Sequence, residues 1–283
     1  MLYYFSIAGI SVCWDVPFPI KITAESVSFQ LHVPPEMIDL TVKFTAVAEL
    51  PKVTENAIYE SGAYFSDECV CYCDLPDTAP FACRSGDLRT GKLLFEYVAG
   101  SESRFSTSQC IMNYLGFETM LLAHDALLLH SSFIRLVSGC GILFSAPSGT
   151  GKSTQAELWR RCRHAEVING DRAGLKRTND TWTAWGLPYA GTSGIYRNES
   201  ASICAVVALR QSKTNAIRRL NPAQAIFYLY PELTLHRWEV ESVSQAMNLL
   251  TDLVSSVPVF LLECRADEDA VSLLENTLKE VIL

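Results

Sequence analysis

Apolar spacing divides the chain into two halves of different period. From residue 2 to about 105, short apolar runs at 3–12, 27–32, 41–49, 57–61, 68–73 and 93–98 are separated by Pro34-Pro35, Pro51 and the Pro76 to Pro80 stretch. Runs of this length between turn-forming residues predict strands, so 1–108 reads as a mostly β domain. At 109–124 the period changes. Ile111, Tyr114, Leu115, Phe117, Leu121 and Leu122 recur at helical spacing, which predicts one helix bridging two domains.

Beyond it, strand and helix patterns mix. A strand over 126–136 and a second ending near 146 precede a helix over 155–163, a short strand over 165–169 and a hairpin of 173–176 with 181–185 around Thr178-Asn179-Asp180. The near-continuous apolar run 203–209 is typical of a central strand, with 216–220 expected beside it. Asn221-Pro222 starts a helix to about 230; a second covers 240–255, a strand follows at 257–264, and Asp267 opens a terminal helix. In that helix Val271, Leu274, Leu278 and Ile282 form one apolar stripe suited to covering a sheet. Tyr228, Tyr230, His236 and Trp238 are expected in the core rather than around an adenine ring. The predicted class is α/β: a mostly β domain, 1–108, followed by a domain, 109–283, of mixed sheet and flanking helices.

Chemistry concentrates at 141–154, GILFSAPSGTGKST. An apolar strand, a glycine-rich turn and an amphipathic helix in that order are what a phosphate-binding loop requires. Backbone N–H groups from Pro147, Ser148, Gly149, Thr150, Gly151, Lys152, Ser153 and Thr154 (all but the proline) are placed to surround phosphate oxygens at a helix N-terminus, where partial positive charge collects. Glycine at 149 and 151 keeps side chains out of the way. Lys152 supplies a point charge to the β and γ phosphates, and the Ser153 hydroxyl is placed to ligate Mg²⁺. Ala146 stands where the strict pattern has glycine.

Charge changes the picture by exclusion. A formal net charge of −8, with no run of Lys or Arg, argues against nucleic acid as a partner. The apolar N-terminus lacks a basic flank and is interrupted by Asp15, and no later run approaches the roughly 20 residues needed to cross a bilayer; the expectation is a cytoplasmic protein with no membrane contact. Of ten cysteines, six lie singly among apolar neighbours, as small hydrophobes do. Cys69, Cys71 and Cys73 alternate along one predicted strand, so these three thiols share a face, and Cys83, ten residues on, is the candidate fourth soft ligand of a metal. Paired metal-ligand spacing is absent and side chains on one face stand parallel, which favours reduced cysteines over a metal site.

The turn Val137-Ser138-Gly139-Cys140 is too short for a parallel crossover, so 126–136 and the phosphate-loop strand must pair antiparallel. In this the residues LLLHSSFIRLVSGCGILFSAPSGTGKST resemble HPr kinase/phosphorylase and the ATP-dependent phosphoenolpyruvate carboxykinases, from about Leu122 onward. His130 matches the histidine on the strand ahead of the loop in those families. Gly170-Asp171-Arg172 falls where they place an acidic pair, but the first acid is replaced by Gly170. Asp171 alone is left to hold Mg²⁺ or accept a proton, and if it holds the metal His130 becomes the candidate base. Arg197 matches a basic residue near the nucleotide and is carried as a charge stabiliser. The glycine-rich loop 186–194 either shapes an acceptor pocket or is a surface connection.

The resemblance is strongest to the stand-alone kinase-like proteins of this fold found with bacterial ribosomally made peptides. It implies ATP and Mg²⁺ as cofactors and transfer of the γ-phosphoryl group to a serine hydroxyl of a peptide or small protein; the sequence itself is silent on oligomeric state, though kinases of this fold often assemble as homo-oligomers. The broken acidic pair sets against this a non-catalytic ATP-binding module that grips a peptide or protein partner.

Overall fold

The computed structural model describes residues 1–189 and 191–282. The chain divides into two compact units, Met1–Ala123 and His124–Leu283. Strands β1 (Leu2–Ile7), β2 (Ile10–Asp15), β3 (Gln30–Leu31), β4 (Leu40–Val47), β5 (Ile58–Glu60), β6 (Ala63–Phe65), β7 (Cys69–Tyr72), β8 (Ala82–Asp87) and β9 (Lys92–Val98) form the sheet of the first unit, in the order β3-β1-β2-β4-β9-β8-β7-β6-β5. It is mixed: β4 runs parallel to both β2 and β9, and the other pairs are antiparallel. The apolar run expected over 3–12 is two strands, because Ala8 and Gly9 turn the chain with φ of 52° and 74°.

One face of this sheet carries an aromatic core. Phe44 and Phe95 lie 4.7 Å apart, and Phe105, fully buried, packs edge-on against Phe95 at 5.2 Å. Helices α1 (Ala24–Val27), α2 (Ser108–Leu115) and α3 (Phe117–Ala123) complete the unit. The single helix expected over 109–124 is broken at Gly116, whose φ of 67° is left-handed and ends α2. Both pieces belong to the first unit, so the boundary lies after residue 123 rather than after 108.

The second unit contains β10 (Ala126–Arg135), β11 (Gly141–Ser145), α4 (Lys152–Arg163), β12 (Glu166–Asn169), β13 (Arg172–Thr178), β14 (Thr181–Gly186), β15 (Ser200–Gln211), β16 (Ala216–Arg219), α5 (Pro222–Leu229), α6 (Val240–Ser256), β17 (Val259–Cys264) and α7 (Glu268–Ile282). The long strand β10 changes partner midway: its first half pairs with β13, its second with β11, from Ser131↔Ser145 to Arg135↔Gly141. The expected antiparallel hairpin is therefore present. On its other side β11 runs parallel to β15, which in turn runs parallel to β17.

Residues 216–219 do not neighbour 203–209; β16 pairs with β17 instead. Its Ala216, Arg218 and Arg219 are exposed, a composition suited to a sheet edge and not to the centre. Ile142 and Phe144 of β11, Val207 of β15 and Phe260 of β17 pack under Trp159 of α4 and Leu274 of α7 in one buried cluster. Side chains beyond Lys279 and Glu280 in α7, Ile282 among them, lie outside the described residues. Among the described residues no helix is long and apolar enough to cross a membrane.

Candidate active site

The glycine-rich loop 147–151 takes its shape from the end of β11. Gly149 and Gly151 adopt φ of 80° and 115°, a region L side chains rarely enter, and a Cβ added at either would meet nothing within 4 Å. The space above the loop is open, and Pro147, Ser148 and Gly149 face it exposed. Lys152 is the first residue of α4 and only 7% exposed. Its Nζ donates to the carbonyls of Ala146 at 2.7 Å and Pro147 at 3.3 Å. Burial pulls this ammonium below its usual range, while Glu232 and Asp171 act to raise it. A buried cation resting on neutral carbonyls beside an open cradle fits a phosphate chain, whose charged oxygens are the stronger acceptors. Ser153, exposed in the first turn of α4, donates its hydroxyl to Gly170 O at 3.4 Å; Thr154 follows it, also exposed.

Asp171 stands opposite, in the turn between β12 and β13. The fully buried Asn169 builds that turn: its Oδ1 accepts from the backbone N–H of Asp171 at 2.8 Å and of Arg172 at 3.0 Å, and its Nδ2 donates to Leu187 O and Tyr189 O, both at 2.9 Å. Asp171 Oδ1 lies 3.8 Å from His130 Nε2, and its Oδ2 is 3.4 Å from Arg172 Nε. On its other side the His130 ring holds Glu232, with Nδ1 3.0 Å from Oε2. Glu232 reaches the site from a single turn, Tyr230–Glu232, after α5. Helix α5 starts at a fixed point because Asn221 and Gln224 cap each other and Pro222 opens the first turn.

Gly170, in place of the first acid, has a structural counterpart. A Cβ at that position would collide with Ser193 Oγ and lie 2.5 Å from Ser193 Cβ. The space an acidic side chain would need is filled by the 187–194 loop. Gly191, at φ 52°, presses on the same turn, so that a Cβ there would lie 2.6 Å from Asp171 Cβ. The loop is thus pinned to the site through Leu187, Tyr189, Gly191 and Ser193 and is not a surface connection; Ala190 and the Thr192 side chain lie outside the described residues. Gly170→Ala is expected to destabilise the protein by about 1–3 kcal/mol, seen as a lower Tm, and Ser193→Gly in the same chain to restore most of the loss.

Arg197 is not brought into this cluster. Its guanidinium is half exposed and faces Glu199 at 3.8 Å, and the basic side chain beside Asp171 is Arg172. Tyr228 and Tyr230 are not core residues either. With Ile226, Met247, Ser148 to Thr150 and Glu232 they line a cleft of about 900 Å³. His236 and Trp238 instead pack on each other, with ring centroids 5.4 Å apart. A cleft of that size and mainly apolar lining suits a small molecule.

No protein-family model matches the chain, and no curated protein matches it. Among solved structures, the Hpr(Ser) kinase/phosphatase from Coxiella burnetii is similar to it at 14% identity and a TM-score of 0.31, over 54% of this chain and 88% of that one.

Proposed function

We propose that the second unit binds ATP with Mg²⁺ and transfers the γ-phosphoryl group to a serine hydroxyl of a peptide or small protein. The observation that carries this reading is the meeting of a phosphate loop with a carboxylate and an oriented histidine: Lys152 and Ser153 on one side, Asp171 and the His130–Glu232 pair on the other. The choice of serine rests on the sequence resemblance alone. In this reading the phosphates lie on the loop 147–154, and the base and ribose occupy the cleft lined by Tyr228 and Tyr230.

The oxygen donors Ser153 and Asp171 suit a hard cation, and Mg²⁺ bound there would neutralise charge on the β and γ phosphates. Lys152 exchanges its loop carbonyls for phosphate oxygens. The acceptor oxygen attacks the γ phosphorus as the bond to the β–γ bridging oxygen breaks, ADP leaving with that electron pair. His130 Nε2 takes the acceptor proton; Glu232, on Nδ1, fixes the tautomer that leaves Nε2 as the base. Glu232 is a positioning residue in this scheme. Glu232→Gln should lower kcat by roughly tenfold to a hundredfold with KM for ATP unchanged, and Glu232→Asp should recover part of it; equal losses in both kcat and KM would remove it from this role.

The filled space at Gly170 favours a second reading, in which ATP binds without turnover and orders the unit for a peptide partner. Candidate peptides incubated with the purified chain, Mg²⁺ and ATP, then searched by mass spectrometry for an added phosphate, separate the two. A phosphoserine formed by the intact chain and not by a Lys152→Ala control supports the kinase. Mg²⁺-dependent ATP binding by calorimetry with no phosphopeptide supports the binding module.

A further inference from the structure

We propose that Cys69, Cys71 and Cys83, in the first unit, form a binding site for one thiophilic d¹⁰ cation, with Zn²⁺ as the ion it takes. The three Sγ atoms lie within 4.8 Å of one another, with Cys69–Cys71 and Cys71–Cys83 both at 3.6 Å. Zinc bonded to thiolates at about 2.3 Å in tetrahedral geometry needs sulfurs about 3.8 Å apart, so these side chains stand close to the required spacing before any ion enters. All three are free thiols.

Sheet register explains the convergence. Cys71 and Cys83 are directly opposite on β7 and β8, and Cys69 shares their face two residues away on β7. Thiols on one face do not stand parallel here: those of Cys69 and Cys71 lean together along the strand, which reverses the expectation drawn from strand geometry. Cys73 lies beyond the end of β7 and is not one of the three. The face is the one turned away from Phe95 and Phe44, because Cys83 pairs with Glu96 and not with Phe95. Cys71 and Cys83 are nonetheless 2% and 1% exposed, while Cys69 is partly open. Two buried sulfurs and one accessible one give an ion a route in and a shielded seat.

The ion would also do a structural task. Strands β5, β6 and β7 are three, three and four residues long, shorter than the roughly five to six residues most common in strands. A bond bridging β7 and β8 fastens that end of the sheet to its longer neighbours. Each thiol gives its proton to solvent on binding, so uptake is accompanied by proton release.

The test uses the full chain, reduced, stripped by chelator and dialysed. Cobalt titration should produce thiolate-to-metal charge-transfer absorption saturating at about one ion per chain, reversed by added Zn²⁺. Cys71→Ser and Cys83→Ser should each reduce retained zinc by at least roughly tenfold, and Cys162→Ser should leave it unchanged. Alkylation of the unsubstituted protein, mapped by mass spectrometry, gives an answer independent of variant folding: zinc should slow modification of Cys69, Cys71 and Cys83 together. Absence of saturable cobalt absorption, alkylation indifferent to zinc, or a Cys71–Cys83 disulfide as the form that predominates before reduction would each overturn the proposal.

Discussion

Replacing Lys152 with alanine is expected to weaken Mg²⁺·ATP binding by roughly 10- to 150-fold, the equivalent of the about 1.5–3 kcal/mol carried by a hydrogen bond to a charged group. Two features make the loss large. The ammonium is nearly buried, at 7% exposed, so water cannot substitute for it, and it lies at the N-terminus of α4, where it adds to the field of the loop N–H groups. If the kinase reading holds, transfer should fall by a further factor of about 10²–10³, since a cation clamped on the γ phosphate acts most strongly on the transition state. Calorimetry reads the first effect and single-turnover phosphorylation the second. The fold should be kept at a cost of about 1–3 kcal/mol, because the substitution takes a donor from the buried carbonyl of Ala146, while the carbonyl of Pro147 keeps the N–H of Thr150. ATP affinity unchanged by the substitution would remove the phosphate-loop assignment altogether.

Asp171→Asn should show the opposite division: ATP affinity within about tenfold of the original, and transfer reduced by roughly 10²–10⁴. The substitution keeps shape and removes charge. The backbone at 171 is held by Asn169 through the N–H groups of residues 171 and 172 and through Ser131, whose N–H donates to Asp171 O at 3.0 Å. The turn therefore does not depend on the carboxylate, and stability should stay within about 0.5 kcal/mol. Raising Mg²⁺ concentration should recover part of the lost rate if the carboxylate holds the ion. Unchanged turnover would take Asp171 out of the mechanism.

Several parts of this site were legible in sequence because their determinants are local. The glycine-rich loop is a contiguous pattern, and the antiparallel partner of the strand before it follows from a four-residue turn. His130 and Asp171 come together because β10 and β13 pair with His130 opposite Arg172. Glu232 lies 102 residues from His130, follows no motif, and arrives by the geometry of α5; no periodicity points to it. Asn169 reads as the last residue of an ordinary strand, and the two hydrogen bonds its Nδ2 donates, to Leu187 O and Tyr189 O, exist only when the 187–194 loop is in place. Strand β8, ACRSGD, has no apolar run to mark it and contains Ala, Gly and Asp, which strands use sparingly; it is a strand because β7 and β9 both pair with it. The glycine at 116 left the apolar period of α2 and α3 intact while breaking the backbone between them, a change of direction that spacing does not register.

The two neighbours of β11 differ in when they become available. Its pairing with β10 closes a short hairpin, which forms in about 1–10 μs. Its parallel pairing with β15 joins Ile142 to Ala205 and must first close a loop of more than sixty intervening positions, so it belongs to the slow, late steps of folding. A nascent chain that has released only the hairpin and α4 carries every residue of the glycine-rich loop, yet lacks the lining that Leu209, Gln211 and Glu232 contribute to the cleft. If the unit binds nucleotide as proposed, the ligand should slow its unfolding and leave the rate at which it folds unchanged.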